Sequence, residues 1–580
     1  MKWQTLRQNG VAFPPPYEYR GLTVRIKGER VRLEPLQEEM LMAWAKKKDT
    51  PYVQDPVFQQ NFLGDLIRVL PERFANISLN DIDWTELHAI ADREKTANLS
   101  PEEKKQRSAE RKRVREELKA KYGTATIDGH ETEIGAYLVE PPGILMGRGA
   151  HPLRGKWKSR VEPKDVTLNL DETTPPPPGD WGEIVHDHDS MWIASWYDKL
   201  SDKRKYIWLA DSSYLRQERD KEKYLKAAKL ETGLEHVRER IRAGMGYTDL
   251  RARASLERRE GKLRTARKAL EAKLLRATEI GDNEGRKKLE DELAHLRQET
   301  ETLDKRRTRI HGGEMKTRQI ATVCYLIDRL AMRVGDEKDE DEADTVGAST
   351  LRVEHIQIGK DRIEFDFLGK DSVQWQKSLP LDRNEKILVS NLQDFMRGKQ
   401  PNEQIFDKID STHVNRFLGE ALPGLTAKVF RTFHATTVVR DFLANRRVRQ
   451  DAALFEKEYV AKLANLEAAI ACNHKRTPPK NWEQGLANKE AALEKLEATE
   501  PKTEKARARL QERLEKARRQ LDLAKRTRDY NLGTSLKNYI DPRVFKAWGD
   551  YVGFDWKRLY TQALRRKFGW VERTRPKWNT

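Results

Sequence analysis

The chain has almost no cysteine: Cys324 and Cys472 are the only two in 580 residues. Two distant thiols build no disulfide framework and no thiolate zinc site, so a reducing, intracellular compartment is expected. Long apolar runs are also missing. No stretch approaches the roughly 20 residues that span a bilayer, and the opening MKWQTLRQNGVAFPPPYEYRG carries no apolar signal-type segment. A soluble, non-membrane protein is expected. Hydrophobic residues make up 37% and charged residues 35%. That suffices for a core in part of the chain, with long solvated helices elsewhere. What abounds is positive charge: 111 Lys and Arg against 93 Asp and Glu, a formal net charge of +18. Such an excess suits a polyanion, nucleic acid ahead of an acidic membrane face. The length predicts three or more domains, and the dense charge would also fit a thermophile.

The patterning changes several times along the chain. LTVRIKGERVRLEP has strand period, and short helices follow through Phe58, Phe62, Leu66 and Leu70. Ser100-Pro101-Glu102-Glu103 reads as a helix start with a capping box, and the basic helix stops at Gly123. Gly147-Arg148-Gly149 can bring backbone and one guanidinium close to a phosphate or base edge. Further on, WGEIVHDHDSMWIASWYDKLSDKRKYIWLADSS alternates like two hairpin strands, with Lys205 and Tyr206 on the return strand. Leu256, Leu263 and Leu270 repeat at seven residues, as do Leu289, Leu296, Leu303 and Ile310 beyond Gly281-Asp282-Asn283. Two heptad arms around a polar turn predict an antiparallel helical hairpin, ended by Gly312-Gly313. Residues 319–333 predict an apolar core helix, STLRVEHIQIG and EFDFL predict strands, and Lys370 sits in a Gly-Lys-Asp turn. A second charged hairpin turns at Pro501. It leads into GTSLKNYIDP, read as a short connector that presents Tyr539 before a helix starting at Asp541-Pro542.

Arg333, Lys370, Arg431, His474 and Tyr539 follow one another in chain order. One tyrosine among 16 is usually a packed residue, a lysine turn is ordinary hairpin chemistry, and a histidine at a helix end usually caps it. Together the five are the set that breaks a phosphodiester through a protein tyrosine. A free phenol, with a pKa of about 10, is a weak nucleophile at neutral pH. Guanidiniums and an imidazole stabilise charge building on the non-bridging oxygens, and a lysine protonates the leaving sugar oxygen.

LAMRVGDEK, TLRVEHI, EFDFLGKDS, GLTAKVFRT, CNHKRTPPK and GTSLKNYIDPR resemble, in order, motifs of the eukaryote-type DNA topoisomerases IB. VAFPPPYE, PPGILMGRGAHP and KYIWLADSS extend the resemblance over nearly the whole chain. It implies an α+β multidomain fold: a two-lobed DNA clamp with a mixed α/β cap lobe, a mainly helical catalytic core related to tyrosine recombinases, and antiparallel coiled-coil hairpins. The implied divisions are a cap region (1–222), a helical region with an inserted hairpin at about 250–310 (223–318), a catalytic core (319–480), a coiled-coil linker (481–530) and a C-terminal domain (531–580).

By resemblance, Tyr539 is the nucleophile of a 3′-phosphotyrosine and Arg333 and Arg431 clamp the scissile phosphate. His474 bonds a non-bridging oxygen and Lys370 is the general acid. Arg148, Lys205, Tyr206, Lys338, Asp371, Asn415, Lys428 and Asn538 match DNA-contacting or near-site positions. The implied enzyme is a monomer that relaxes duplex DNA through backbone contacts with low sequence preference, and needs no metal, ATP or other cofactor.

Three departures stand out. The long charged N-terminal tail is missing, which fits an archaeal or other non-nuclear member, cytoplasmic or nucleoid-associated, or nuclear if eukaryotic. The hairpin at 250–310 is longer than the family suggests. Leu145 and Met146 replace an aromatic and an arginine beside Arg148, which bears on inhibitor sensitivity. A tyrosine recombinase and a non-catalytic architectural DNA clamp are the rival readings.

Overall fold

The computed structural model describes residues 1–147, 149–336, 346–382 and 385–578. It begins with strand β1 (Leu6–Gln8), the hairpin β2 (Thr23–Ile26) and β3 (Glu29–Arg32), and helices α1 (Pro35–Ala45), α2 (Pro56–Ile67) and α3 (Thr85–Glu94). The apolar faces of the β2–β3 hairpin and these helices close a core around Leu41, Trp44, Phe58 and Phe62. Helix α4 (Pro101–Tyr122) starts as predicted. The Ser100 hydroxyl accepts from Glu103 N at 3.2 Å, and the Glu103 carboxylate accepts from Ser100 N at 2.7 Å.

Strands β4 (Thr124–Ile127) and β5 (His130–Glu133) join β1 in an antiparallel sheet of order β1-β4-β5. The short pair β6 (Gly143–Ile144) and β7 (Trp157–Lys158) brackets Gly147 and Gly149. A four-stranded sheet follows, of order β11-β10-β8-β9, from β8 (Val166–Asn169), β9 (Glu183–Val185), β10 (Trp192–Asp198) and β11 (Lys203–Trp208). The predicted hairpin is its β10–β11 pair. Ile127, Leu168, Ile193 and Ile207 fill the second core beneath these sheets.

Three long helices come next: α5 (Tyr214–Met245), α6 (Leu250–Glu279) and α7 (Asn283–Leu330). Leu256 and Leu263 of α6 meet Leu303, Leu296 and Ile310 of α7, so the heptads pair in antiparallel register. Ion pairs Arg259–Glu299 and Arg307–Glu260 flank that seam, and Arg253–Glu314 closes its base. Gly312-Gly313 does not end the hairpin. Helix α7 runs through the pair unbroken for 48 residues and becomes the predicted core helix. Each glycine disfavours helix by about 1 kcal/mol, which the packing on either side overrides. Glu314 is tied to Arg253 and to Asp249 N (2.6 Å), and Ala321, Val323, Leu326 and Ile327 are deeply buried.

Beyond α7, strands β12 (Ile356–Ile358), β13 (Arg362–Gly369) and β14 (Val373–Pro380) form an antiparallel sheet, with Ile363, Phe365 and Phe367 inward. Of the predicted strand STLRVEHIQIG, only Ile356–Ile358 is strand; Ala348–Thr350 and Val353–His355 are 3-10 turns. Their amides are used elsewhere: Val353 N donates to Glu403 O at 3.1 Å and Glu354 N to Pro401 O at 2.9 Å. Helices α8 (Lys386–Met396), α9 (Ser411–Ala421), α10 (Ala427–Ala444) and α11 (Leu454–Ala471) complete this region. The second hairpin is α12 (Trp482–Glu497) and α13 (Glu504–Arg526), bridged by Lys525–Glu490 and Arg518–Glu497, each at 2.8 Å. The chain closes with α14 (Leu532–Asn538), α15 (Pro542–Val552) and α16 (Gln562–Lys567). Among the described residues no helix is long and apolar enough to cross a membrane.

Helix α10 sits where two cores meet. Val429, Phe430 and Phe433 pack with α5, α7 and the β12–β14 sheet, whereas Ala435, Val439 and Leu443 pack with α11, α14 and α15. Arg431 lies in its second turn, on that seam.

Candidate active site

The predicted connector around Tyr539 is the short helix α14. Its N-cap Asn531 accepts from Thr534 N at 3.3 Å, and Asn531 N donates to His474 O at 2.7 Å. Tyr539 is the C-cap residue, with φ −126° and ψ −41°. The predicted start of α15 is present: the Asp541 carboxylate accepts from Arg543 N at 2.9 Å, and Pro542 takes the first position. Thr436 of α10 fixes the bend, accepting from Asp541 N at 3.1 Å and donating to Tyr539 O at 3.4 Å.

Four of the five predicted residues converge here. The Tyr539 ring stacks on His474, centroids 5.0 Å apart, and the Arg431 guanidinium lies 4.8 Å from the same ring. Arg431 is 2% exposed, His474 4% and Tyr539 8%. Arg431 Nη1 donates to Ala331 O. Its Nη2 donates to Cys472 O at 2.9 Å and lies 3.2 Å from His474 Nε2. Arg431 Nε is buried without a partner. Arg333 follows the end of α7 two residues after Ala331, whose φ is +52°.

Electrostatics sets the protonation states. Burial pushes the His474 pKa down, and the charges of Arg431, Arg333 and Lys377 push it further, to about 3. The imidazole is therefore neutral. Because a guanidinium only donates, Nε2 must accept from Arg431, and Nδ1–H then donates to Ser535 Oγ at 2.7 Å. Burial alone would raise the Tyr539 phenol. The charges of Arg431 and Arg333 and a hydrogen bond from Arg431 outweigh it, leaving Tyr539 below its ordinary value. A neutral imidazole thus stacks on a phenol whose pKa lies below its ordinary value.

Tyr539 forms the floor of an open cleft of about 900 Å³, lined also by Arg333, Lys370, Lys428 and Asn538. Nine lysine and arginine side chains line it against three carboxylates, which makes it an anion-attracting channel. Lys370 reaches it from the exposed turn between β13 and β14. The Gly149 turn approaches from the other side. A Cβ on Gly149 would lie 2.2 Å from Ser372 Oγ, so only glycine fits there. Farther out, Arg566 pairs with Glu133 at 2.8 Å and Lys537 with Asp211 at 3.2 Å, joining the C-terminal helices to the N-terminal sheets.

Other predicted contacts fall less centrally. Lys205 and the exposed Tyr206 ring are on β11. Lys205 is 3.7 Å from Asp198, and Tyr206 lines a neighbouring cavity that shares Lys537 and Lys567 with the cleft. Asn415 accepts from Ala427 N at 3.0 Å and so helps start α10. Arg148 and Lys338 lie outside the described residues, as does the Asp371 side chain. Ser535, Thr436 and Lys377 were not anticipated. Ser535 had a signal, since it precedes Tyr539 by four residues, one helical turn. Lys377 had none: its strand, VQWQKSLP, reads as an ordinary alternating edge.

Family models match the chain in order. The DNA-binding fragment of eukaryotic DNA topoisomerase I matches residues 1–209, its catalytic core 281–509, and the C-terminal topoisomerase domain 511–580. Residues 210–280, which hold α5 and α6, fall between the first two. "DNA topoisomerase 1" of Candidozyma auris is 36% identical over 512 residues, covering 86% of this chain and 58% of that protein. "DNA topoisomerase 1 beta" of Arabidopsis thaliana is 33% identical over 611 residues, with coverages of 98% and 58%. "DNA topoisomerase I, mitochondrial" of Homo sapiens is 31% identical over 613 residues, with coverages of 98% and 90%. The chain thus spans under three fifths of the fungal and plant relatives and most of the human mitochondrial one. With matches running in order from its first residue to its last, the chain belongs to the eukaryotic DNA topoisomerase I family.

Proposed function

We propose that this chain relaxes supercoiled DNA as a type IB topoisomerase, with Tyr539 as the nucleophile. The observation that carries this reading is the packing of one tyrosine against a buried arginine and a neutral histidine on the floor of a cationic cleft. Duplex DNA lies in that cleft, enclosed by the N-terminal sheets on one side and the helical core on the other. Lys428 and Asn538 touch its backbone near the cut, and Lys205 and Tyr206 touch it farther along.

Tyr539 Oη gives up its proton to solvent in the open cleft and attacks phosphorus. The bond to the 5′ oxygen breaks, Lys370 gives that oxygen a proton, and a 3′-phosphotyrosine and a 5′-hydroxyl result. The free end rotates about the intact strand. The 5′-hydroxyl then attacks the ester, its proton returns to Lys370, and Tyr539 leaves as a phenolate that takes a proton back from solvent. Ester energy is conserved, so the cycle needs neither ATP nor metal. Arg333 and Arg431 neutralise charge on the non-bridging oxygens. His474 joins them only when Nε2 carries a proton. An arriving phosphate partly cancels the arginine charges that hold His474 neutral, which favours that proton.

The test is relaxation of supercoiled plasmid in EDTA without ATP, by wild type and by Tyr539→Phe. Wild type relaxes the plasmid and the variant binds without relaxing it. A wild type that fails to relax, or a Phe variant that still does, overturns the reading. Strand exchange that requires two marked sites would instead identify a recombinase.

A further inference from the structure

Two helices end beside the site and deliver two of its residues. Leu330 and Ala471 are the last residues of α7 and α11; Arg333 and His474 each follow by three. Both chain ends pass through a left-handed residue, Ala331 at φ +52° and Asn473 at φ +52°. That conformation disfavours a residue with a Cβ by roughly 1–2 kcal/mol, so something must hold each turn. Helix ends also leave carbonyls without intrahelical partners.

Two cations satisfy those carbonyls in parallel. Arg431 bridges Ala331 O and Cys472 O. One residue earlier on both helices, Lys377 Nζ donates to Leu330 O at 3.0 Å and also to Ala471 O. Lys377 lies on β14, the strand that returns from the Lys370 turn. The same strand holds the second left-handed turn, because Gln374 O accepts from Asn473 Nδ2 at 3.1 Å.

We infer that Lys377 is a positioning residue, a cationic tie that fixes the ends of α7 and α11 to the Lys370 hairpin and so sets Arg333, His474 and Lys370 in register. It touches neither the phosphate nor Tyr539. Its ammonium also faces the negative ends of two helix dipoles, where a cation is favoured. The charged and titratable groups acting on it are the Cys472 thiol after α11 and Arg431 on α10; His474 in turn feels its charge. Burial, with Arg431 adding to it, brings the Lys377 pKa down to about 8. The tie therefore loses its charge within the range in which activity is assayed, whereas an arginine there would keep it.

The inference rests on the proposed tyrosine chemistry, and the experiment separates the two. Full-length wild type, Lys377→Met and Lys377→Arg are compared in single-turnover cleavage of a duplex oligonucleotide from about pH 6.5 to 9.5. Duplex affinity and plasmid relaxation are measured alongside. Lys377→Met is expected to cleave about tenfold or more slowly at pH 7 with affinity within about twofold, the scale of losing a charge-assisted bond. Lys377→Arg is expected to keep the rate at pH 7, and its rate relative to wild type is expected to climb as the pH passes about 8. Plasmid relaxation by wild type together with a flat Arg-to-wild-type ratio, or a Met variant within twofold of wild type, overturns the tie and leaves the topoisomerase reading standing. If the Met variant loses duplex binding through misfolding, the Arg ratio alone decides. Failure of wild type to cleave removes the proposed function itself.

Discussion

Replacing His474 by glutamine isolates a single proton. In the native protein the imidazole pKa is near 3, while in the unfolded chain it reverts to about 6.5. As pH falls through 6.5 the unfolded chain takes up the proton first. The native state is therefore penalised progressively from about pH 6.5 down to about 3. Its slope approaches 1.36 kcal/mol per pH unit for one proton. Between pH 7 and 5 the loss amounts to about 2 kcal/mol, since the native site stays unprotonated throughout. Glutamine carries no such proton, although its amide can still accept from Arg431 and donate to Ser535. The assay is hydrogen exchange of α11 and α14 under mild denaturant at both pH values, which reads the cooperative unit containing the site. Acidic groups elsewhere titrate in both proteins and cancel in the difference. If wild type and His474→Gln weaken in parallel between pH 7 and 5, the native imidazole takes up its proton as readily as the unfolded one and the depressed pKa is wrong; if wild type gains on the variant, the imidazole is already charged in the native protein.

Three other outcomes can be checked directly. Ser535→Ala removes the only hydrogen-bond acceptor described for His474 Nδ1, so cleavage should slow by about 10- to 100-fold with little change in DNA affinity; a rate within twofold of wild type would count against it. Ala331→Gly relieves a left-handed alanine and should raise protection at the end of α7 by up to about 1 kcal/mol, whereas Ala331→Val should lower it, both read by hydrogen exchange. Duplex binding should weaken about a thousandfold or more between roughly 50 and 200 mM salt, and Lys428→Ala should flatten that dependence by about one phosphate contact; a salt-independent affinity would exclude the cleft as the DNA path.

The sequence was most informative where chemistry and local pattern coincide. The capping box at Ser100 and the Asp541-Pro542 start rest on contacts within a few residues, and each is present; the heptads repeat visibly along each arm, and Leu256 and Leu263 meet Leu296, Leu303 and Ile310. Gly312-Gly313 misled because the glycine penalty is local while the burial that overrides it comes from α5 and the α6 base. STLRVEH has strand composition, yet Val353 and Glu354 give their amides to Glu403 and Pro401, while Ser349 gives its own to Val334. Arg431, His474 and Tyr539 were legible as a chemical set. Their mutual packing, the tautomer of His474 and the role of Ser535 depend on α14 folding back onto α11, which no spacing encodes. Lys377 was invisible for the same reason: its two acceptors lie 47 and 94 residues away.

The unbroken course of α7 makes the first hairpin an adjustable part. Thirty residues of α6 extend about 45 Å at 1.5 Å per residue, and the partner arm returns to the base without a joint. Arg253, Asp249 and Glu314 anchor that base to the turn from α5. Removing or adding matched heptads from both arms preserves the leucine seam and leaves residues beyond Glu314 where they are. The hairpin is thus a natural port for building into the molecule. A fluorophore or a fused domain at Gly281 would ride on a stiff mast whose foot is the Arg253–Glu314 pair, and α7 continues from that foot to Leu330, ahead of Arg333.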